Sequence, residues 1–132
     1  MNNVNHISIT IRRSPAEVYD FAVDPRNLPH WAAGLVRSAV RKDGDAWIAE
    51  APFGTVRIKF VDRNSLGVLD HDVTLESGVV VHNPMRVIPR PDGSEFVFTL
   101  FRRPGMSEDD FQRDKAAVEA DLATLKRLME RR

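Results

Sequence analysis

Between residues 36 and 101 the chain is cut at short intervals by five turn signals: Asp43-Gly44, Pro52-Phe53-Gly54, Asn64-Ser65, Glu76-Ser77-Gly78 and Pro91-Asp92-Gly93. The segments between them are short and alternate apolar with polar residues, so they read as antiparallel strands joined by hairpins. Turn chemistry then sets a register. The Asp-Gly turn pairs Val40 with Trp47. The turn at Phe53 puts Ala49 opposite Val56, and Asn64-Ser65 pairs Phe60 with Leu69. A three-residue loop with Gly78 in the left-handed position pairs Leu75 with Val79, and so His71 with Asn83. The turn at residues 90–93 lets Met85 face Phe98.

Directly paired residues share one face of a sheet. One face therefore collects Val36, Val40, Trp47, Val56, Ile58, Phe60, Leu69, Val73, Leu75, Val79, Val81, Met85, Phe96, Phe98 and Leu100. The other collects Arg37, Arg41, Glu50, Arg57, Lys59, Asp70, Asp72, Thr74, His82 and Arg86. This separation predicts a sheet with one apolar face and one solvated face.

The flanking segments supply helices to cover the apolar face. Residues 4–12 alternate, with Ile7, Ile9 and Ile11 on one side, and predict a first strand. Ser14, Pro15 and Glu17 form an N-terminal helix signal of cap, first-turn proline and capping-box acid. Asp24-Pro25 ends that helix, and "NLPHWAAGL" predicts a second short helix stopped at Gly34. Ser107 caps a final long helix whose first-turn acids suit the positive end of its dipole. Along it Phe111, Val118, Leu122, Leu125 and Met129 recur at helical spacing and require an apolar partner surface.

The stretch "LDHDVTL", residues 69–75, carries the densest candidate chemistry. The register turns Asp70 and Asp72 outward onto the solvated face, near His82 and Arg86. It turns His71 inward, beside Asn83 and with Ser38 on the same face. An inward histidine is either a neutral side chain bonded to Asn83, or a general base or substrate-orienting donor. Trp31 and Trp47 are core, or stack on a flat ligand. Asp72 and His82 lack a third convergent ligand, so no metal is expected. No cofactor motif, glycine-rich phosphate loop or nucleophile elbow is present.

Composition narrows the class. The chain has 132 residues, enough for a single domain over 1–132. Its formal net charge is zero, which argues against a dedicated nucleic-acid binder. It has no cysteine, which excludes disulfides, thiolate metal sites and thiol nucleophiles. No run approaches the roughly 20 apolar residues of a membrane span, and the start lacks the pattern of a signal peptide. A cytoplasmic protein without membrane insertion is expected.

The order of strand, two short helices, antiparallel strands and long C-terminal helix resembles the START-like or helix-grip superfamily. That group includes polyketide cyclase/dehydrase-like and lipid-transport (SRPBCC) proteins. "ITIRRSPAEVYDFAVDPRNLPHW", residues 9–31, is similar to the opening of those proteins. "HNPMRVIP" and "EFVFTLFRRPGMS" resemble segments of uncharacterised bacterial members. The resemblance implies an α+β, Bet v 1-like fold. In it a curved antiparallel sheet of about seven strands grips the last helix on its concave face, around a cavity for a hydrophobic small molecule.

Three functions follow as expectations. The first is binding of a lipid- or polyketide-like molecule by His71, Asn83, Ser38, Trp47, Trp31, Phe60, Met85 and Phe98. The second is a cyclase or dehydratase using His71 as its acid–base group, with Asn83 or Ser38 as oxyanion donor. The third is an interaction protein with a filled core. Each is compatible with a homodimer.

Overall fold

The computed structural model describes residues 3–132. Eight strands and three α-helices follow one another as β1 (Val4–Ile11), α1 (Pro15–Ala22), α2 (Leu28–Trp31), β2 (Arg41–Asp43), β3 (Ala46–Ala51), β4 (Gly54–Phe60), β5 (His71–Thr74), β6 (Val80–Asn83), β7 (Met85–Arg90), β8 (Gly93–Phe101) and α3 (Glu108–Glu130). All strand pairings are antiparallel. The α+β class, the element order and the long C-terminal helix are as expected.

The sheet itself differs from the expected single seven-stranded one. The strands form a three-stranded sheet, β1-β8-β7, and a five-stranded sheet, β2-β3-β4-β5-β6. The extra strand arises at Pro84, which splits one expected strand into β6 and β7. Proline has no N–H to give to a ladder. The sheets stay stitched at this seam. Leu69 N–H donates to Met85 O, Val87 N–H to Gly67 O, and Thr99 N–H to Pro84 O, each at 2.9 Å.

Three of the turn-based pairings are observed directly: Ala49 with Val56, His71 with Asn83, and Met85 with Phe98. Two are shifted by two residues. Trp47 pairs with Lys42, because the loop is Gly44-Asp45 with Gly44 at φ +65°. Phe60 pairs with His71, because residues 61–70 form a broad loop rather than a tight hairpin. Asn64 holds that loop, its Oδ1 accepting from the N–H groups of Leu66 and Val68 at 3.0 and 3.1 Å. A slip of two residues keeps every side chain on its face, so the division into apolar and polar faces survives both errors. Val79 is the exception on the apolar list: it lies at the β5–β6 turn and is 48% exposed.

The first helix is capped as predicted. Ser14 Oγ accepts the Glu17 N–H at 3.3 Å and donates to the Glu17 carboxylate at 2.9 Å. The second is shorter than predicted. A 3-10 turn at Pro25–Asn27 leads into the single turn of α2, which ends at Ala32 before reaching Gly34. Helix α3 packs on β1 and β8 and against α2, burying Phe111, Leu122, Leu125 and Met129 in the same core as Ile11, Ile58, Met85 and Phe96. Its end is tied to β1. Lys126 Nζ donates to Thr10 O at 2.7 Å, and Glu130 accepts the Arg12 N–H at 2.9 Å.

Asp70 needs a further correction. It points to the outer face, but it is not solvated: its side chain is only 14% exposed. Its carboxylate accepts the Met85 N–H at 3.0 Å and two bonds from Arg86 at 3.2 and 2.8 Å. Burial works to raise its pKa, but the Arg86 and Met85 bonds outweigh burial and hold it below the usual value. Asp72 is exposed as expected and accepts from His82 Nδ1 at 2.6 Å.

Candidate functional site

A cavity of about 430 Å³ opens between the strands, α2 and α3. Val73, Val81, Met85, Phe98 and Leu100 line it from the strands, Leu28 and Trp31 from α2, and Val118 and Leu122 from α3. Its volume lies within the range of about 300–1,000 Å³ of small-molecule sites. The amphipathic patterns of β5–β8 and α3 place these residues there, since both elements turn their apolar sides to the same space.

His71 and Asn83 are the polar pair on the strand wall, 4% and 8% exposed. His71 Nδ1 lies 3.2 Å from Leu69 O, and its Nε2 lies 3.4 Å from Asn83 Nδ2. A carbonyl only accepts, so Nδ1 carries the proton and Nε2 accepts from the Asn83 amide. The ring stacks on Phe60, with centroids 4.7 Å apart and planes 23° apart, and meets the Phe98 ring edge-on at 6.5 Å. Burial lowers the His71 pKa to about 4. At neutral pH it is therefore an uncharged acceptor, and its basicity is too weak for efficient proton transfer near pH 7.

Of the eight residues expected to bind a ligand, His71, Asn83, Trp31, Met85 and Phe98 line this cavity. Phe60 stands behind the His71 ring rather than in the lining. Trp47 is half-buried and outside it. Ser38 is exposed, because strand structure starts only at Arg41 and no alternation turns residue 38 inward. The Trp31 indole N–H is buried without a hydrogen-bond partner among the described residues.

The structure adds charged residues that the strand-based reading missed. Asp114 and Asp121 on α3, and Arg103 from the loop before it, also line the cavity. The available signal was their spacing. They flank Val118 at i−4 and i+3, on one side of the helix. Burial pushes the Asp121 carboxyl up to about 6, against the opposing pull of the Gly34 N–H. Burial also raises Asp114, while nearby Arg103 draws it back down. Among the described residues no group of three or more histidines or acids could hold a metal ion. Nor is any helix among them long and apolar enough to cross a membrane.

A family model described as polyketide cyclase / dehydrase and lipid transport matches residues 6–130. The chain belongs to that family. The cavity of this polyketide cyclase/dehydrase and lipid-transport family member sits where its strands and C-terminal helix meet, and the matched residues include its whole lining. No curated protein matches the sequence. Solved structures share the fold at low identity. XoxI from Bacillus cereus is 13% identical with a TM-score of 0.73, covering 97% of this chain and 96% of its own. The Aha1 dimer from Colwellia psychrerythraea is 14% identical with a TM-score of 0.76, covering 96% of each chain. DynU16, a protein of the dynemicin biosynthetic locus, is 15% identical with a TM-score of 0.75. The match covers 98% of this chain but 48% of DynU16.

Proposed function

We propose that the protein binds a hydrophobic or amphipathic small molecule, lipid- or polyketide-like, in the cavity between its sheets and α3. One observation carries the reading: a cavity of about 430 Å³ with an apolar wall and a few convergent polar groups. Family membership and the dynemicin-locus neighbour agree with it. A filled core would leave no such space, which weighs against an interaction protein with a packed interior. The low basicity of His71, whose two ring nitrogens already have partners, weighs against a cyclase built on it as the acid–base group. In this reading His71 and Asn83 orient the ligand rather than transform it.

The test is native mass spectrometry of the purified protein, with titration of a neutral apolar fluorophore. A co-purifying small molecule, or saturable one-to-one binding of the fluorophore that His71→Leu or Leu122→Trp alters, is the expected result. Absence of both overturns the reading.

A further inference from the structure

The cavity's charged groups are not balanced. Arg103 has a nearby acid in Asp114, whose pKa burial raises and Arg103 pulls partly back down. Among the described residues Asp121 has no equivalent cation: burial and the Gly34 N–H are the influences on its carboxyl. Its hydrogen-bond partner among the described residues is the Gly34 N–H, at a long 3.4 Å. Gly34 makes the approach feasible, since a Cβ there would lie 3.1 Å from Asp121 Oδ2. A carboxylate can accept about four hydrogen bonds, so Asp121 keeps acceptor sites for an occupant of the cavity. The rest of the wall does not use them. His71 is a neutral acceptor and lends no positive charge. With Asp114 and Asp121 ionised, the cavity's three charged side chains carry one net negative charge. A partly buried carboxylate without a cation is costly to keep, and an occupant that supplies the missing charge and donors relieves that cost.

We propose that Asp121 anchors the polar end of the ligand, and that the cavity prefers an amphipathic molecule with a cationic, hydrogen-bond-donating ammonium head over one with a carboxylate head. This rests on the ligand-binding reading above and adds the chemical class of the occupant. The apolar body lies against Val73, Met85 and Leu100, and the head lies at the α3 wall beside Asp121. The raised pKa of Asp121 agrees with a partly buried carboxyl that no cation among the described residues faces.

The experiment titrates the full chain at pH 8 with dodecylammonium, dodecanol and dodecanoate, each below its micellar concentration. Asp121 is then ionised, and an alkylammonium, with a lysine-like pKa near ~10.4, is charged. Dodecylammonium should bind at least about tenfold more tightly than dodecanoate, the scale of one charge-assisted hydrogen bond. Asp121→Asn should abolish that preference, and saturable dodecanol binding by the variant shows that its cavity is still formed. Arg103→Gln, which leaves Asp121 in place, should widen the preference. Dodecanol binding without an ammonium preference, or a preference that survives Asp121→Asn, overturns this inference and leaves the cavity reading standing. A preference for dodecanoate also overturns it and assigns the head to Arg103. If none of the three probes binds, this inference falls, while native mass spectrometry and the fluorophore titration decide the cavity reading separately.

Discussion

The Asp70 carboxylate accepts the Met85 N–H at 3.0 Å across the seam where the two sheets part. Pro84 creates that seam, and Asp70 satisfies the backbone donor next to it while pairing with Arg86. Met85 is buried, so removal of the acceptor leaves its N–H without a partner in the interior. A buried polar group left unpaired costs about 1–3 kcal/mol. Asp70→Ala should therefore lower unfolding free energy by about that much, and Asp72→Asn on the exposed face by no more than ~0.5 kcal/mol. Urea unfolding of both variants measures the contrast. Equal, small effects would show that the seam does not depend on Asp70.

His71 and Asn83 make a second separable pair. His71→Leu is nearly volume-conserving but removes both ring hydrogen bonds and leaves the Asn83 amide without its acceptor. Binding of a ligand with a polar group on the strand wall, as distinct from a head beside Asp121, should weaken by about tenfold or more, since ~1.4 kcal/mol is a factor of ten. Asp72→Asn, on the other face of the same strand, should not change it. Ligand titration alongside thermal melts checks this. If Asp72→Asn loses binding and His71→Leu keeps it, the functional surface is the outer one.

The division into two faces was legible because strand alternation has a period of two and each turn constrains the next strand. Both misplaced turns slipped by an even number, so His71 came out inward and Asp72 outward despite them. What the turns could not convey was long-range. A proline reads as a strand interruption only when its neighbours' hydrogen bonds are known, so the role of Asp70 in serving Met85 was hidden. Ser38 was misplaced because alternation was extended into residues that are not strand. Asp114 and Asp121 were overlooked because a helix's acids read as solvated unless the element opposite them is known. Only the packing of α3 against α2, with Gly34 leaving room, turns Asp121 into part of the cavity wall.

Helix α3 should be indispensable to the fold. Phe111, Leu122, Leu125 and Met129 are each no more than 1% exposed, and they form one buried core with strand residues such as Ile11, Ile58 and Phe96. A chain ending before Ser107 would present that apolar surface to water, and large exposed apolar patches drive association. The truncated protein should be insoluble, or soluble with weak near-ultraviolet circular dichroism and strong binding of a hydrophobic dye. A soluble truncation with a cooperative unfolding transition would contradict the proposed packing.

One buried and one partly buried group should give this protein opposing pH dependences. His71 is lowered from 6.5 to about 4 by burial, so below pH 6.5 the unfolded chain binds a proton that the folded one refuses. Its contribution makes stability fall as pH drops from 6.5 toward 4. Asp121 is raised from 3.8 to about 6, so in that interval the folded chain holds a proton that the unfolded one has released. Its contribution makes stability fall as pH rises from 4 toward 6, and the penalty persists above. The two terms partly cancel in the native protein and separate in variants. Relative to wild type, His71→Leu should gain melting temperature as pH is lowered from 6.5 to 4. Asp121→Asn should gain it as pH is raised from 4 to 6, and should hold that gain at pH 8. Acids such as Asp70 contribute equally to all three proteins and drop out of the differences. Differential scanning calorimetry at half-unit steps from pH 4 to 8 measures both trends. Differences that are flat across the series would mean that neither group titrates away from its ordinary value in the folded protein.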